Sequence, residues 1–312
     1  MTVIFSRQQH TVKKAKKAAG IGLHSGKAIT FEILPSPPNS GIQFLRSDMG
    51  SDCIIPARSR YIVNSDHATS IGIGEAMIST VEHLMAALLG AGIDNAIIKL
   101  DGPEVPAMDG SAAPFLRLLK KAGRVSQSHP RRYLQIIEPF SVVDGDKSIS
   151  VEPAPELYIS FDIDFPHPLV SKQHYEIKLT EKSFAREISK ARTFGFLKEV
   201  EFLRRNGLAQ GGSLDNAVVI GDRSILNQDG LRFEDEFVRH KILDLLGDLY
   251  LIGMPIIGRI KAVKSGHRLH QRFVQELLAR PYVWRVIEPS SGPKMVPWTQ
   301  PLEGFETQLL TI

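Results

Sequence analysis

The sequence predicts an α+β protein of two similar halves, each a mixed sheet with helices on one face, the two layers facing each other across their helices. Three observations carry this prediction. A ten-residue pattern, V-x-H-x-x-x-x-L-L-G, occurs at Val81–Gly90 and again at Val238–Gly247. Strand and helix signals follow the same order around each copy. Between the two lies a polar stretch, Gly123–Arg131, in which Ser126, Gln127, Ser128 and Pro130 read as a linker. If the pattern is an internal duplication, packing about a pseudo-twofold axis brings His83 and His240 close together.

In the first half, extended segments at Ile29–Leu34 and Gly41–Leu45 precede a helix from Val81 to Leu89 that Gly90 ends. A strand at Asn95–Leu100 and a helix over Ala113–Ala122 follow. In the second half, strands at Tyr133–Ile137, Ser148–Val151 and Leu157–Phe165 precede a helix from about Glu234 to Leu251. A strand at Ile256–Val263 and a helix over Leu269–Ala279 complete it. These signals divide the chain into units at 1–125 and 131–285. Pro289–Gly304 is rich in Pro, Gly and Ser, and 286–312 is expected to be an irregular tail.

Composition narrows the class. At 312 residues the chain fits two domains of about 150 residues. No apolar run approaches the ~18 residues that cross a bilayer, and the lysines at 13, 14, 16 and 17 are not followed by the apolar segment of a signal peptide. The expectation is a cytoplasmic monomer with no stable membrane insertion. A single cysteine, Cys53, excludes an internal disulfide and a multi-thiolate metal site, so any metal must use His and carboxylate. The net charge of +4 and pI near 9.1 invite a nucleic-acid reading. Lys and Arg are dispersed, however, and no nucleic-acid partner is expected. The segment Gly20–Ala28 looks like a phosphate loop but has Ile21 and Ala28 where that loop requires glycine and Ser or Thr, so it reads as a turn.

Chemistry concentrates in the two copies. From His240, Asp244 and Asp248 lie at i+4 and i+8 with Gly247 between them, on one stripe of a helix whose other positions are apolar. Buried carboxylates require partners. One reading has Lys241 and Arg239 neutralising the aspartates on a solvated face. In the other, Gly247 opens space for an ion or a substrate. In the first copy Ser79–Glu82 has capping-box spacing, which competes with a catalytic reading of Glu82. Taken together, His83, His240 and Asp244 compose a two-His, one-carboxylate zinc set, with Glu82 as a free carboxylate able to take a proton from water.

Six segments resemble the signatures of the UDP-3-O-acyl-N-acetylglucosamine deacetylase family, the zinc amidases of lipid A synthesis. They are Ser79–Leu84, Gly92–Asn95, Met108–Phe115, Arg192–Phe196, Phe233–Lys241 and Ser265–His267, within a resemblance running from about Gly20 to Ala279. The resemblance implies two sandwiched α+β domains, each with an insert, the second at about 193–222. It implies one zinc ion per chain on His83, His240 and Asp244, with Glu82 as general base. His267 is then the general acid, oriented by Asp248, while Thr193 and Lys241 polarise or hold the reacting carbonyl and phosphate. It further implies Phe165 as a surface for the uracil ring. Phe194, Val200, Gly212 and Val219 are expected to line an apolar passage for the acyl chain. The implied substrate is UDP-3-O-[(R)-3-hydroxyacyl]-N-acetylglucosamine, cleaved to a free amine and acetate. The chain departs from the family pattern at Arg268, His270 and Phe273, beside the expected acid. His24 and His67 fall in recognisable Gly-Leu-His-Ser-Gly and His-x-Thr segments without an assigned role.

Overall fold

Alternation of apolar side chains decides the first sheet. In the computed structural model, which describes residues 6–50, 53–290 and 292–295, Ile29, Phe31 and Ile33 point to the core along one strand, with Phe44 and Ile98 beside them on neighbouring strands. The chain opens with β1 (Gln8–Val12), β2 (Lys16–Ile21), β3 (Ala28–Leu34), β4 (Ile42–Arg46) and β5 (Ile54–Pro56). A three-stranded insert follows, β6 (Ile62–Asn64), β7 (Ser70–Ile73) and β8 (Ala76–Ile78). Helix α1 (Glu82–Gly90), strand β9 (Ala96–Leu100) and helix α2 (Ala113–Ala122) close the first half.

The second half repeats the plan. After β10 (Arg124–Pro130) and β11 (Tyr133–Ile136) come β12 (Phe140–Asp144), β13 (Lys147–Glu152), β14 (Leu157–Asp164) and β15 (Lys172–Lys178). A short α3 (Glu181–Ser183) runs on into a π-helical turn, and the second insert comprises β16 (Phe194–Phe196), α4 (Leu197–Arg205) and β17 (Val218–Ile220). Then follow α5 (Glu236–Tyr250), β18 (Ile256–Val263), α6 (His267–Leu278), β19 (Trp284–Ser290) and β20 (Gly292–Met295).

Strand order shows the duplication at the level of topology. The first sheet runs β2-β3-β9-β4-β5, with β4 and β9 parallel and the other pairs antiparallel. In the second sheet the path β12-β13-β18-β14-β15 has the same pairings, again with one parallel pair, β14 with β18. Each half is therefore four strands, an insert, a helix, the central strand and a second helix. The fold is mixed α+β, as the sequence predicts.

Two expectations about the chain's edges are corrected. The stretch read as a linker is the strand β10, paired antiparallel with β1 through Thr11–Val125 and Val12–Arg124. Its side chains are almost all exposed, so its composition is that of a loop although its backbone pairs with β1 over Arg124–Ser126 and again at Pro130. The tail expected from residue 286 begins as strand. β19 pairs with β11, Val286 opposite Leu134, and β20 returns along β19 at the sheet edge, where Pro289 and Pro293 are tolerated. Residues 291 and 296–312 lie outside the described residues.

Helices α1 and α5 pack directly on each other, and α5 also meets α6, β14 and β15. Thirteen of its fifteen residues are buried, among them Glu236, His240, Asp244 and Asp248. Gly247 has a different purpose from the one its position suggests. A Cβ there would lie 2.0 Å from the Glu82 carbonyl oxygen, so glycine lets the two helices touch rather than opening a void. Replacing Gly247 with Ala is expected to destabilise the protein by about 1–3 kcal/mol, the usual range for overpacking, because the obstacle is backbone and not a movable side chain. Equilibrium denaturation of the variant measures this, and an unchanged midpoint would show that the helices separate without cost.

Candidate active site

The close approach of α1 and α5 brings two imidazoles together edge-on, their planes inclined at 71°. His83, in the first turn of α1, and His240, near the start of α5, bring their Nε2 atoms to 3.0 Å. One helical turn on from His240, Asp244 Oδ1 lies 3.4 Å from each of those nitrogens. An ion held ~2.0–2.1 Å from three donors at tetrahedral angles spaces the donors roughly 3.3 Å apart, so this triangle suits zinc-sized coordination. All three side chains are buried. Burial pushes the His240 ring down to about 3 against the pull of Asp244, so its lone pair is free at neutral pH. Burial alone would raise the Asp244 carboxyl, but His240, Lys241 and a hydrogen bond from His83 outweigh it and hold Asp244 ionised. Lys241 Nζ donates to Asp244 Oδ2 at 2.7 Å. The donor set thus fits a divalent metal ion in residue type and spacing.

Glu82 is not a cap. The residue preceding α1, Val81, makes no side-chain capping bond, and Glu82 Oε2 accepts from the Thr69 backbone N–H at 3.1 Å. Burial, supplemented by Asp248 and Asp244 and opposed by His267 and His83, pushes Glu82 up to about 7. Facing it, His267 is the first residue of α6, and its Nε2 stands 4.0 Å from Glu82 Oε1 and 3.9 Å from Asp244 Oδ2. Its Nδ1 donates to Asp248 Oδ2 at 2.7 Å. Burial disfavours the charged ring, yet Asp248, then Asp244 and Glu82, overcome it and raise His267 to about 9. A carboxyl group near neutrality and a protonated imidazole therefore stand across one gap.

The unusual His270 is a satisfied core residue. Its Nδ1 shares Asp248 Oδ2 at 2.7 Å and its Nε2 meets Ser265 Oγ at 3.0 Å, leaving neither nitrogen for a metal. Burial lowers its pKa, so the neutral ring donates to Asp248 and accepts from the serine. Arg239 does not neutralise the aspartates. It pairs with Asp235 at 2.5 Å and lies 3.8 Å over the Tyr175 ring. The Arg192–Glu236 pair is structural: Nε to Oε1 at 2.8 Å and Nη2 to Oε2 at 3.0 Å, both residues buried, at the start of α5.

Around the donors lies a cavity of about 350 Å³ whose walls include Thr193, Lys241, Phe165 and Phe194. Phe165 meets Phe194 edge-on at 5.8 Å and Phe196 at the same distance. A second, more apolar cavity of about 410 Å³ is walled by the insert, with Phe194, Val200, Gly212 and Val219 all contributing. Sequence reasoning missed two members. Thr69 links Glu82 to Asp248, its backbone N–H donating to the first and its Oγ1 to Asp248 Oδ1 at 2.6 Å, and the His-x-Thr segment was its only signal. Phe196 lines the cavity around the donors two residues beyond Phe194, where strand alternation puts both side chains on one face.

Comparison with known proteins gives the family. The family model LpxC, UDP-3-O-acyl N-acetylglycosamine deacetylase, matches residues 9–279. Relatives named UDP-3-O-acyl-N-acetylglucosamine deacetylase include that of Myxococcus xanthus (strain DK1622), 50% identical over 282 residues, covering 90% of each chain. Another, from Geobacter sp. (strain M21), is 50% identical over 280 residues, covering 90% of this chain and 92% of its own. That of Shewanella oneidensis is 48% identical, covering 89% and 92%. On a match of this extent, the chain belongs to the UDP-3-O-acyl-N-acetylglucosamine deacetylase family.

Proposed function

We propose that this chain hydrolyses the N-acetyl group of UDP-3-O-[(R)-3-hydroxyacyl]-N-acetylglucosamine at a single zinc ion held by His83, His240 and Asp244, the committed step of lipid A biosynthesis. The observation that carries the reading is the donor triangle, 3.0 and 3.4 Å on its sides, with Glu82 and His267 at its rim. Zinc bound there supplies Lewis acidity, polarising the acetyl carbonyl and making a water acidic near pH ~7. Glu82 takes the proton of the attacking water. His267, protonated and aimed by Asp248, gives its Nε2 proton to the nitrogen as the C–N bond breaks, releasing amine and acetate. Lys241 and Thr193, which line the same cavity, are assigned to hold the developing charge of the reacting carbonyl and the substrate phosphate.

In the same reading Phe165 receives the uracil ring, and the apolar cavity lined by Phe194, Val200, Gly212 and Val219 takes the acyl chain. The unit at 1–125 supplies one ligand and the base. The unit at 131–285 supplies two ligands and the acid, with β19 extending its sheet to Ser290. Because every proposed group comes from one chain, a monomer suffices. Among the described residues no helix is long and apolar enough to cross a membrane, which agrees with a cytoplasmic enzyme meeting a nucleotide-linked substrate.

Acetate release from the purified substrate tests the reading, and its pH dependence tests the roles. Activity requires Glu82 ionised, so kcat/KM rises with pH through about 7. It requires His267 protonated, so kcat/KM falls as pH passes about 9. A bell with a plateau between these limits is expected. Absence of acetate release from zinc-loaded protein overturns the proposal.

A further inference from the structure

The glycine-rich segment that fails as a phosphate loop has a place in the site. It forms the end of β2, a tight turn over 22–26, and the start of β3, closed by Gly22 N–H to Lys27 O at 2.9 Å and Gly26 N–H to Gly22 O at 3.0 Å. Glu104, 1% exposed, grips this turn from below. Its Oε1 accepts from the His24 N–H at 2.8 Å and from Thr80 Oγ1 at 3.1 Å, and its Oε2 accepts from the Ser25 N–H at 2.8 Å. Among the described residues no Lys or Arg pairs with Glu104, so backbone amides carry most of the compensation for burying its charge. A Cβ on Gly22 would sit 2.3 Å from Glu104 Oε2, so only glycine permits this grip.

With its amides turned toward Glu104, the turn offers its carbonyls to the other half of the molecule. Leu23 O accepts from Gly211 N–H at 3.0 Å and His24 O from Gln210 N–H at 3.2 Å, both in the second insert. The fit is backbone against backbone: a Cβ on Gly211 would lie 2.2 Å from Gly22 O. Leu23 and His24 line both the reaction cavity and the apolar cavity, and Leu23 Cδ1 comes within 3.8 Å of a Cβ placed on Gly212. One buried carboxylate thus fixes the wall shared by the two cavities and the spacing of the insert that encloses one of them.

We propose that Glu104 is a positioning residue for acyl-chain selectivity: it holds the 22–26 turn as the partition between the reaction cavity and the apolar passage and ties the insert to it. This rests on the reading above that the apolar cavity takes the acyl chain. The test compares kcat/KM for UDP-3-O-acyl-N-acetylglucosamine carrying a long or a short 3-hydroxyacyl chain, using zinc-loaded full-length protein with metal content measured. Glu104→Gln turns an N–H donor toward at least one donor of the turn. Long-chain kcat/KM is expected to fall about tenfold, mainly through KM, while the short-chain value falls at most about twofold. Gly211→Ala, which leaves Glu104 intact but pushes the insert off the turn, is expected to give the same selective loss even if the first variant folds poorly. Equal losses on both substrates, or no loss in either variant, overturn the proposal. Val219→Phe narrows the passage independently and should lower the long-to-short ratio. If that ratio stays fixed, the passage reading itself fails; if it falls while Glu104→Gln and Gly211→Ala leave it fixed, the partition proposal alone fails.

Discussion

Glu82→Gln retains one zinc ion per chain and loses activity by a factor of about 10²–10⁴, the range typical of a removed general base. The geometry makes this substitution informative. Glu82 is outside the donor triangle, so the ligands are untouched, and its Oε2 is held by the Thr69 amide, a contact that a glutamine oxygen reproduces. What disappears is the proton-accepting oxygen facing His267. The loss should appear in kcat with KM little changed, since the carboxylate acts on water and not on the nucleotide or the acyl chain. The acidic limb of the pH profile near 7 should vanish with it, because Glu82 is the group that burial lifts into that range. Full turnover with bound zinc would sink the assignment.

Asp244→Ala has the second large effect. Losing a hydrogen bond that supports a metal ligand costs roughly 10–100-fold in affinity, and losing a ligand should exceed that. Asp244 is also the carboxylate that faces Lys241, whose ammonium is left beside two buried imidazoles. Expected results are zinc affinity at least about 100-fold weaker, no measurable deacetylation, and a melting temperature that no longer rises when zinc is added. The parent protein gains about 4 kcal/mol at zinc concentrations a thousandfold above its Kd. Metal analysis and thermal unfolding with and without zinc check this, and an undiminished zinc-induced shift in the variant rules out Asp244 as a ligand.

The long, strongly periodic elements were legible in the sequence because packing and periodicity agree there. Helix Ala113–Ala122 and strand Ile256–Val263 have the predicted ends, and α1 and α5 are each within two residues of theirs. The meeting of His83, His240 and Asp244 was legible from two patterns: helix pitch sets His240 and Asp244 on one face of α5, and the repeated ten-residue segment makes His83 the counterpart of His240. What escaped depends on partners distant in sequence. β10 is polar on nearly every residue and becomes a strand only because β1 pairs with it. Thr69 joins Glu82 and Asp248 through bonds to residues 13 and 179 positions away, a span that no local pattern encodes. Gly247 was read for the space beside it, but what decides its identity is the Glu82 carbonyl, a backbone atom of another helix. His270 fills a gap between Ser265 and Asp248, and its burial was not visible from its neighbours in the chain.

The matched strand orders of the two halves, β2-β3-β9-β4-β5 and β12-β13-β18-β14-β15, have a consequence for what such a scaffold is able to catalyse. A symmetric dimer of one such unit must present identical residues on both sides of its axis, so an acid on one side dictates an acid on the other. Joining two copies in one polypeptide lifts that constraint. Position by position, Glu82 faces a history shared with Arg239, and Ala87 one shared with Asp244, and each pair is free to differ. The covalent link between the halves is thus what allows a near-symmetric frame to carry a carboxylate on one side of the axis with no counterpart on the other.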